Sequence, residues 1–166
     1  MKIDANKQYT ARITTTLGEM NADLLAKEAP QTVNNFVFLA REGFYDGVKF
    51  HRIIKGFMVQ TGDPQGDGSG GPGYTFADEP VSSNYDRGVL AMANRGPNTN
   101  GSQFFFVQGD DVNLRLPKNY TIFGKVTQGL DVLDQIASVP VASSSRGEAS
   151  VPQSDVRITK VAIEEK

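Results

Sequence analysis

The chain has no cysteine, no tryptophan and a single histidine in 166 residues. The first absence removes disulfides and thiol chemistry and leaves the redox compartment unconstrained. One imidazole is too few for a zinc site of the usual kind, so no metal cofactor is expected. No run approaches the roughly 18 apolar residues of a membrane span, and the opening MKIDANKQYTARI lacks the apolar segment of a secretory signal. A cytoplasmic protein with no membrane partner is the expectation. An excess of one charge is also missing: 17 Lys and Arg against 19 Asp and Glu give a net charge of -2, which supplies no cationic face for a nucleic-acid backbone.

A chain of this size buries about two-thirds of its unfolded surface, enough for one domain with a core. No linker or internal repeat divides it, so residues 1–166 are read as a single domain. Tyr9 to Thr15 and Glu19 to Leu24 alternate with period two, which predicts strands joined by a turn at Thr16 to Gly18. The period then changes. Val33, Phe36, Val37 and Ala40 share one helical face between Pro30, suited to a first helical position, and Gly43, suited to a stop. Further strands are predicted at Phe50 to Ile54, Met58 to Thr61, Val89 to Asn94, Gln103 to Gln108, Thr121 to Val126 and Val156 to Ile163, with a second helix from Leu130 to Ala137. In the last strand Val156 and Ile158 face one way and Val161 and Ile163 the other, which calls for a bulge near Thr159 and Lys160. Ser143 to Ser154 reads as a polar, mobile loop. The pattern is all-β and antiparallel, and composition alone leaves barrel and sandwich both open.

Several apparent motifs dissolve in context. Gly66, Gly68 and Gly71 spell G-x-G-x-x-G, but Pro72, Gly73 and β-forming Tyr74 to Phe76 follow where a dinucleotide site needs a helix. Asp63, Gln65 and Asp67 echo a calcium loop whose twelfth position is Tyr74 rather than glutamate. The sequons at Asn100 and Asn119 read as turn chemistry. His51 lies next to Arg52 on a strand and so faces the other way, with no partner histidine or cysteine to make it a ligand.

Arg52 is harder to dismiss. It stands between two apolar β-forming runs in Phe50 to Pro64, FHRIIKGFMVQTGDP. A two-residue turn at Lys55 and Gly56 would set it opposite Val59. A three-residue loop at Lys55 to Phe57 would set it opposite Gln60, beside Met58. The residues alone allow both. A second unusual stretch, Met92 to Val107 (MANRGPNTNGSQFFFV), places Gln103 and Phe105 on one face and Phe104 and Phe106 on the other, and the glutamine suits a groove better than an interior.

These two stretches, the GSGG turn at Gly68 to Gly71 and TIFGKV at Thr121 to Val126 together resemble a cyclophilin-type peptidyl-prolyl cis/trans isomerase, from about Tyr9 to Ile163. The resemblance implies an eight-stranded antiparallel β-barrel closed by two α-helices, no cofactor, and a monomer acting on proline-containing peptides and unfolded protein clients. It places the catalytic arginine at Arg52. It assigns peptide binding to Phe57, Met58, Gln60, Gly68, Ala93, Asn94, Gln103, Phe105, Leu116 and Tyr120, and it favours the three-residue loop. Tyr120 stands where many members carry histidine, the family's tryptophan position falls near Leu114 or Arg115, and Arg95 replaces a small residue. Proline binding is expected to survive these departures, and binding of cyclosporin to be weakened. Rotation about an X-Pro amide breaks no covalent bond, which suits a chain without nucleophile or metal. The rival readings are a non-catalytic proline-peptide docking module and an oligonucleotide-binding barrel, the latter short of a basic aromatic face.

Overall fold

A computed structural model describes residues 2–166. β1 (Tyr9–Thr15) and β2 (Gly18–Leu24) form the first hairpin. Its turn is closed by the Thr15 hydroxyl, which accepts the Leu17 N–H and donates to the Gly18 carbonyl. α1 (Pro30–Arg41) follows. Its first turn lacks a capping side chain of its own; the Glu79 carboxylate accepts the N–H groups of Gln31 and Thr32 instead. Gly43, at φ +73°, turns the chain away after it.

β3 (Arg52–Ile54), β4 (Met58–Thr61), β5 (Val89–Met92), β6 (Phe104–Val107), β7 (Ile122–Gln128) and β10 (Ile158–Glu165) complete one antiparallel sheet in the order β10-β1-β2-β7-β5-β6-β4-β3. The sheet curls until its two edges meet. Gly47 donates to the Ile158 carbonyl, Ile158 to Val48 and Phe50 to Val156, so the residues just before β3 are tied to the start of β10. This is the eight-stranded barrel the resemblance implied, and α2 (Leu130–Ala137) matches its expected limits. The bulge is at Thr159, left over between the pairs Thr14–Lys160 and Thr15–Ile158, so that Ile158 and Val161 are both buried.

Two apolar clusters lie on opposite faces of the barrel wall. The inner one joins Ile13, Met20, Val59, Phe104, Phe106 and Phe123 to the buried faces of both helices. The outer one gathers Met58, Tyr85, Ala91, Phe105, Val107 and Ile122. Because both faces of β5 and β6 are covered, every residue of these strands is buried. Phe105 is buried on the outer face, beneath the side chains of the outer cluster.

One correction concerns Ser143 to Ser154. This stretch is not a plain loop: β8 (Val141–Ser143) and β9 (Ala149–Pro152) pair as a two-stranded hairpin beside the barrel. Its tip is built by the Ser144 hydroxyl, which accepts the N–H groups of Arg146 and Glu148.

Candidate active site

β3 and β4 pair as Arg52–Gln60, Ile53–Val59 and Ile54–Met58, leaving Lys55, Gly56 and Phe57 as a three-residue loop. Gly56 takes φ +82° at its centre, which an L side chain would resist. The register continues across the wall. Gln60 pairs with Phe105 of β6, Phe105 with Ala91 of β5, and Ala91 with Ile122 of β7. Residues opposite one another share a face, so Arg52, Gln60, Phe105 and Ala91 form one row on the outside of the barrel. The next row on that face holds Ile54, Met58 and Val107.

Above these rows lies an open groove of about 1130 Å³. Arg52, Phe57, Met58, Gln60, Gly68, Ala93, Asn94, Gln103, Phe105, Leu116 and Tyr120 all line it. The Phe105 and Tyr120 rings meet edge to face with centroids 5.7 Å apart, and Phe57 and Leu116 pack against the same outer cluster. An apolar slot and a cation thus stand side by side.

The polar side of the groove is one directed chain of hydrogen bonds. An arginine can only donate, so Gln60 turns its Oε1 to Arg52 Nη1, at 3.3 Å, and its Nε2 to Gln103 Oε1, at 3.0 Å. Gln103 Nε2 then donates to the Gly68 and Gly70 carbonyls, at 2.9 Å each. The loop that presents them is held by Asp63, whose fully buried carboxylate accepts the N–H groups of Gln65, Asp67 and Gly68. Burial alone would raise the Asp63 pKa, but the backbone donors together outweigh it and hold it below the usual range. Arg95 reaches the same Gly68 carbonyl at 2.8 Å.

Ala93 gives its N–H to the Gln103 carbonyl at 3.0 Å, so only its own carbonyl is left for a ligand. Asn94 Nδ2 donates to the Asn119 carbonyl at 2.9 Å. Tyr120 is steadied by a residue that sequence reasoning missed: the Tyr85 hydroxyl donates to the Tyr120 carbonyl and accepts its N–H. Leu114 is 88% exposed, whereas the Arg115 guanidinium stacks over the Phe57 ring at 4.4 Å.

The most consequential residue absent from the sequence reading is Glu148. It meets Arg52 bidentately, Oε1 to Nε at 2.9 Å and Oε2 to Nη2 at 3.0 Å. Hydrogen bonding to this carboxylate raises the Arg52 pKa, and the Arg52 bond takes Glu148 from 4.5 down to about 2. Nothing local could have announced it, since the two residues are 96 positions apart.

Comparison with known proteins supplies a family. Residues 10–163 match the model described as cyclophilin type peptidyl-prolyl cis-trans isomerase. The chain is 44% identical over 174 residues to a probable peptidyl-prolyl cis-trans isomerase B of Mycobacterium tuberculosis, covering 95% of this chain but 55% of that relative's length. It is 44% identical over 154 residues to peptidyl-prolyl cis-trans isomerase-like 3 of Gallus gallus, covering 90% of this chain and 92% of the relative. Among solved structures, a cyclophilin-type isomerase from Cryptosporidium parvum superposes with a TM-score of 0.86 at 35% identity, over 96% of this chain and 99% of that one. A second structure of the same protein, determined in the presence of the dipeptide Ala-Pro, gives 0.85 at 35% identity over 95% and 99%.

Proposed function

The chain belongs to the cyclophilin-type peptidyl-prolyl cis-trans isomerase family, and we propose that it accelerates rotation about X-Pro bonds in unfolded or flexible protein segments, with Arg52 as the catalytic residue. The observation that carries this reading is the cross-strand row, which sets a guanidinium beside an apolar slot formed by Phe57, Met58, Phe105, Leu116 and Tyr120.

The barrier to amide rotation, about 18–20 kcal/mol, arises because the nitrogen lone pair is delocalised into the carbonyl. Catalysis needs only to bind the twisted amide, with its lone pair localised, more tightly than the planar one. A cation that donates hydrogen bonds near the prolyl nitrogen does this without covalent chemistry. The apolar slot holds the proline ring while the acyl side turns, and the Gln60–Gln103 chain keeps the guanidinium facing it. Residues 1–166 act as one unit in this reading, monomeric and cytoplasmic, on proline-containing peptides and unfolded clients. With Arg115 lying on Phe57 and no tryptophan in the chain, affinity for cyclosporin is weakened.

The test is exchange between cis and trans forms of an X-Pro peptide, followed by NMR magnetisation transfer and titration. Arg52→Ala should slow exchange about 10²–10³-fold, the usual cost of one transition-state donor, with little change in peptide affinity. Phe105→Ala should weaken both. Undiminished exchange in the Arg52 variant would remove the arginine from the reaction, and a wild type that binds peptide without exchanging it would be a docking module instead.

A further inference from the structure

We propose that Glu148, on the β8–β9 hairpin, is a positioning residue for the isomerase reaction: its carboxylate holds the Arg52 guanidinium in the one orientation that leaves donors facing the groove. The inference rests on the catalytic reading of Arg52. A guanidinium has five N–H groups. Nε–H and one N–H of Nη2 are taken by Glu148, at 2.9 and 3.0 Å, and one N–H of Nη1 goes to Gln60 at 3.3 Å. What remains is the second N–H of Nη2 and one on Nη1, whose neighbour is the Met58 thioether at 3.9 Å, a weak acceptor. The carboxylate and the glutamine therefore occupy different edges of the same plane and leave its outer end for a ligand.

Several features point to a built contact rather than a chance surface pair. It is bidentate, the geometry in which an Arg–carboxylate pair is directional as well as strong. The tip that carries the carboxylate is set by Ser144, which bonds the Glu148 N–H through its side chain and the Glu148 carbonyl through its own N–H. Arg52 is 38% exposed and has four rotatable bonds, and without this partner a single 3.3 Å bond to Gln60 would be left to orient its guanidinium. Glu148 and Gln60 fix it from opposite sides of the β3 edge.

A residue that acts through Arg52 must lose its effect when Arg52 is gone, and the test uses this. Exchange of an X-Pro peptide is measured for Glu148→Gln and Glu148→Ala, each in the wild-type and the Arg52→Ala background, with thermal unfolding and the ¹⁵Nε–H signal of Arg52 recorded alongside. In the wild-type background turnover should fall about 3–10-fold for Gln, which keeps one acceptor, and about 10–30-fold for Ala. Peptide affinity should change less than about twofold, and the Arg52 Nε–H signal should move. In the Arg52→Ala background either change should alter turnover by less than about twofold. Equal losses in both backgrounds would make Glu148 merely structural, and unchanged or raised turnover in the single variants would show a neutral or inhibitory contact; either overturns the proposal while the isomerase reading stands. If Arg52→Ala itself exchanges peptide like the wild type, the reading of Arg52 and this inference fall together.

Discussion

Arg52 opens β3 and His51 stands just before it, and their opposite protonation chemistry governs how the protein should respond to pH. Arg52 stays cationic because its hydrogen bond to Glu148 raises an already high pKa. Glu148, lowered to about 2, is ionised throughout. His51 also lines the groove, but burial holds its pKa below the ordinary 6.5, so the rate of peptide exchange should be flat between about pH 7 and 9; a bell-shaped profile there would reveal a titrating participant. Stability behaves differently. Burial, opposed by Asp63 and assisted by Arg52, holds His51 below its ordinary 6.5. The unfolded chain therefore binds a proton that the folded chain refuses, so the contribution is complete above about 6.5 and is lost progressively as pH falls from there through the lower folded value. The contribution of Glu148 is complete above 4.5 and fades only as pH drops toward about 2. Between about pH 7 and 5.5 the urea midpoint should decline through His51 alone, and a His51→Gln chain that declines equally would refute this.

The β3–β4 loop, the glycine-rich loop and the β8–β9 hairpin each present one part of the groove, and each is held by a distant element. The loop carrying Phe57 is clasped by the end of β6: Gln108 and Gly109 both donate to the Phe57 carbonyl, and Gln108 Oε1 accepts the Gly56 N–H. A Cβ on Gly109 would overlap the Gly56 carbonyl oxygen. Gly109→Ala should therefore cost about 1–3 kcal/mol through overpacking and also weaken peptide binding by displacing Phe57. Thermal unfolding with a parallel peptide titration checks it, and normal values for both would show that the clasp is dispensable. These elements were unequally legible. α2 was legible because Leu130, Leu133, Ile136 and Ala137 stand at helical spacing, and the bulge near Thr159 and Lys160 because a change of face within one strand has no other cheap solution. The hairpin was missed because its short strands are masked by a serine-rich run, of which the Ser144 hydroxyl builds the tip.

The molecule uses both sides of a single wall. Phe104 points into the barrel against Phe36, Tyr45 and Phe123, while Phe105 points outward beneath Tyr120. Truncating either removes a buried ring and should cost about 3–5 kcal/mol. Their consequences should separate: Phe104→Ala should lower the unfolding midpoint but leave peptide affinity of the folded fraction intact, whereas Phe105→Ala should impair both. Stability by urea and affinity by titration distinguish them. Equal loss of affinity in the two variants would mean that the inner and outer clusters are not independent.

Residue order alone carried the antiparallel all-β pattern, both helices, the bulge, and the two stretches around Arg52 and Gln103, because period, turn chemistry and capping act over a few residues and leave their mark locally. The choice of hairpin register at Lys55 to Phe57 already needed the family resemblance. Only the tertiary structure decided that Arg52, Gln60, Phe105 and Ala91 form one row, that Tyr85 steadies Tyr120, and that Glu148 closes on Arg52. The reason is physical: which strands meet, and in what register, is settled by packing two apolar clusters on either face of the wall at once, and that condition couples residues nearly a hundred positions apart.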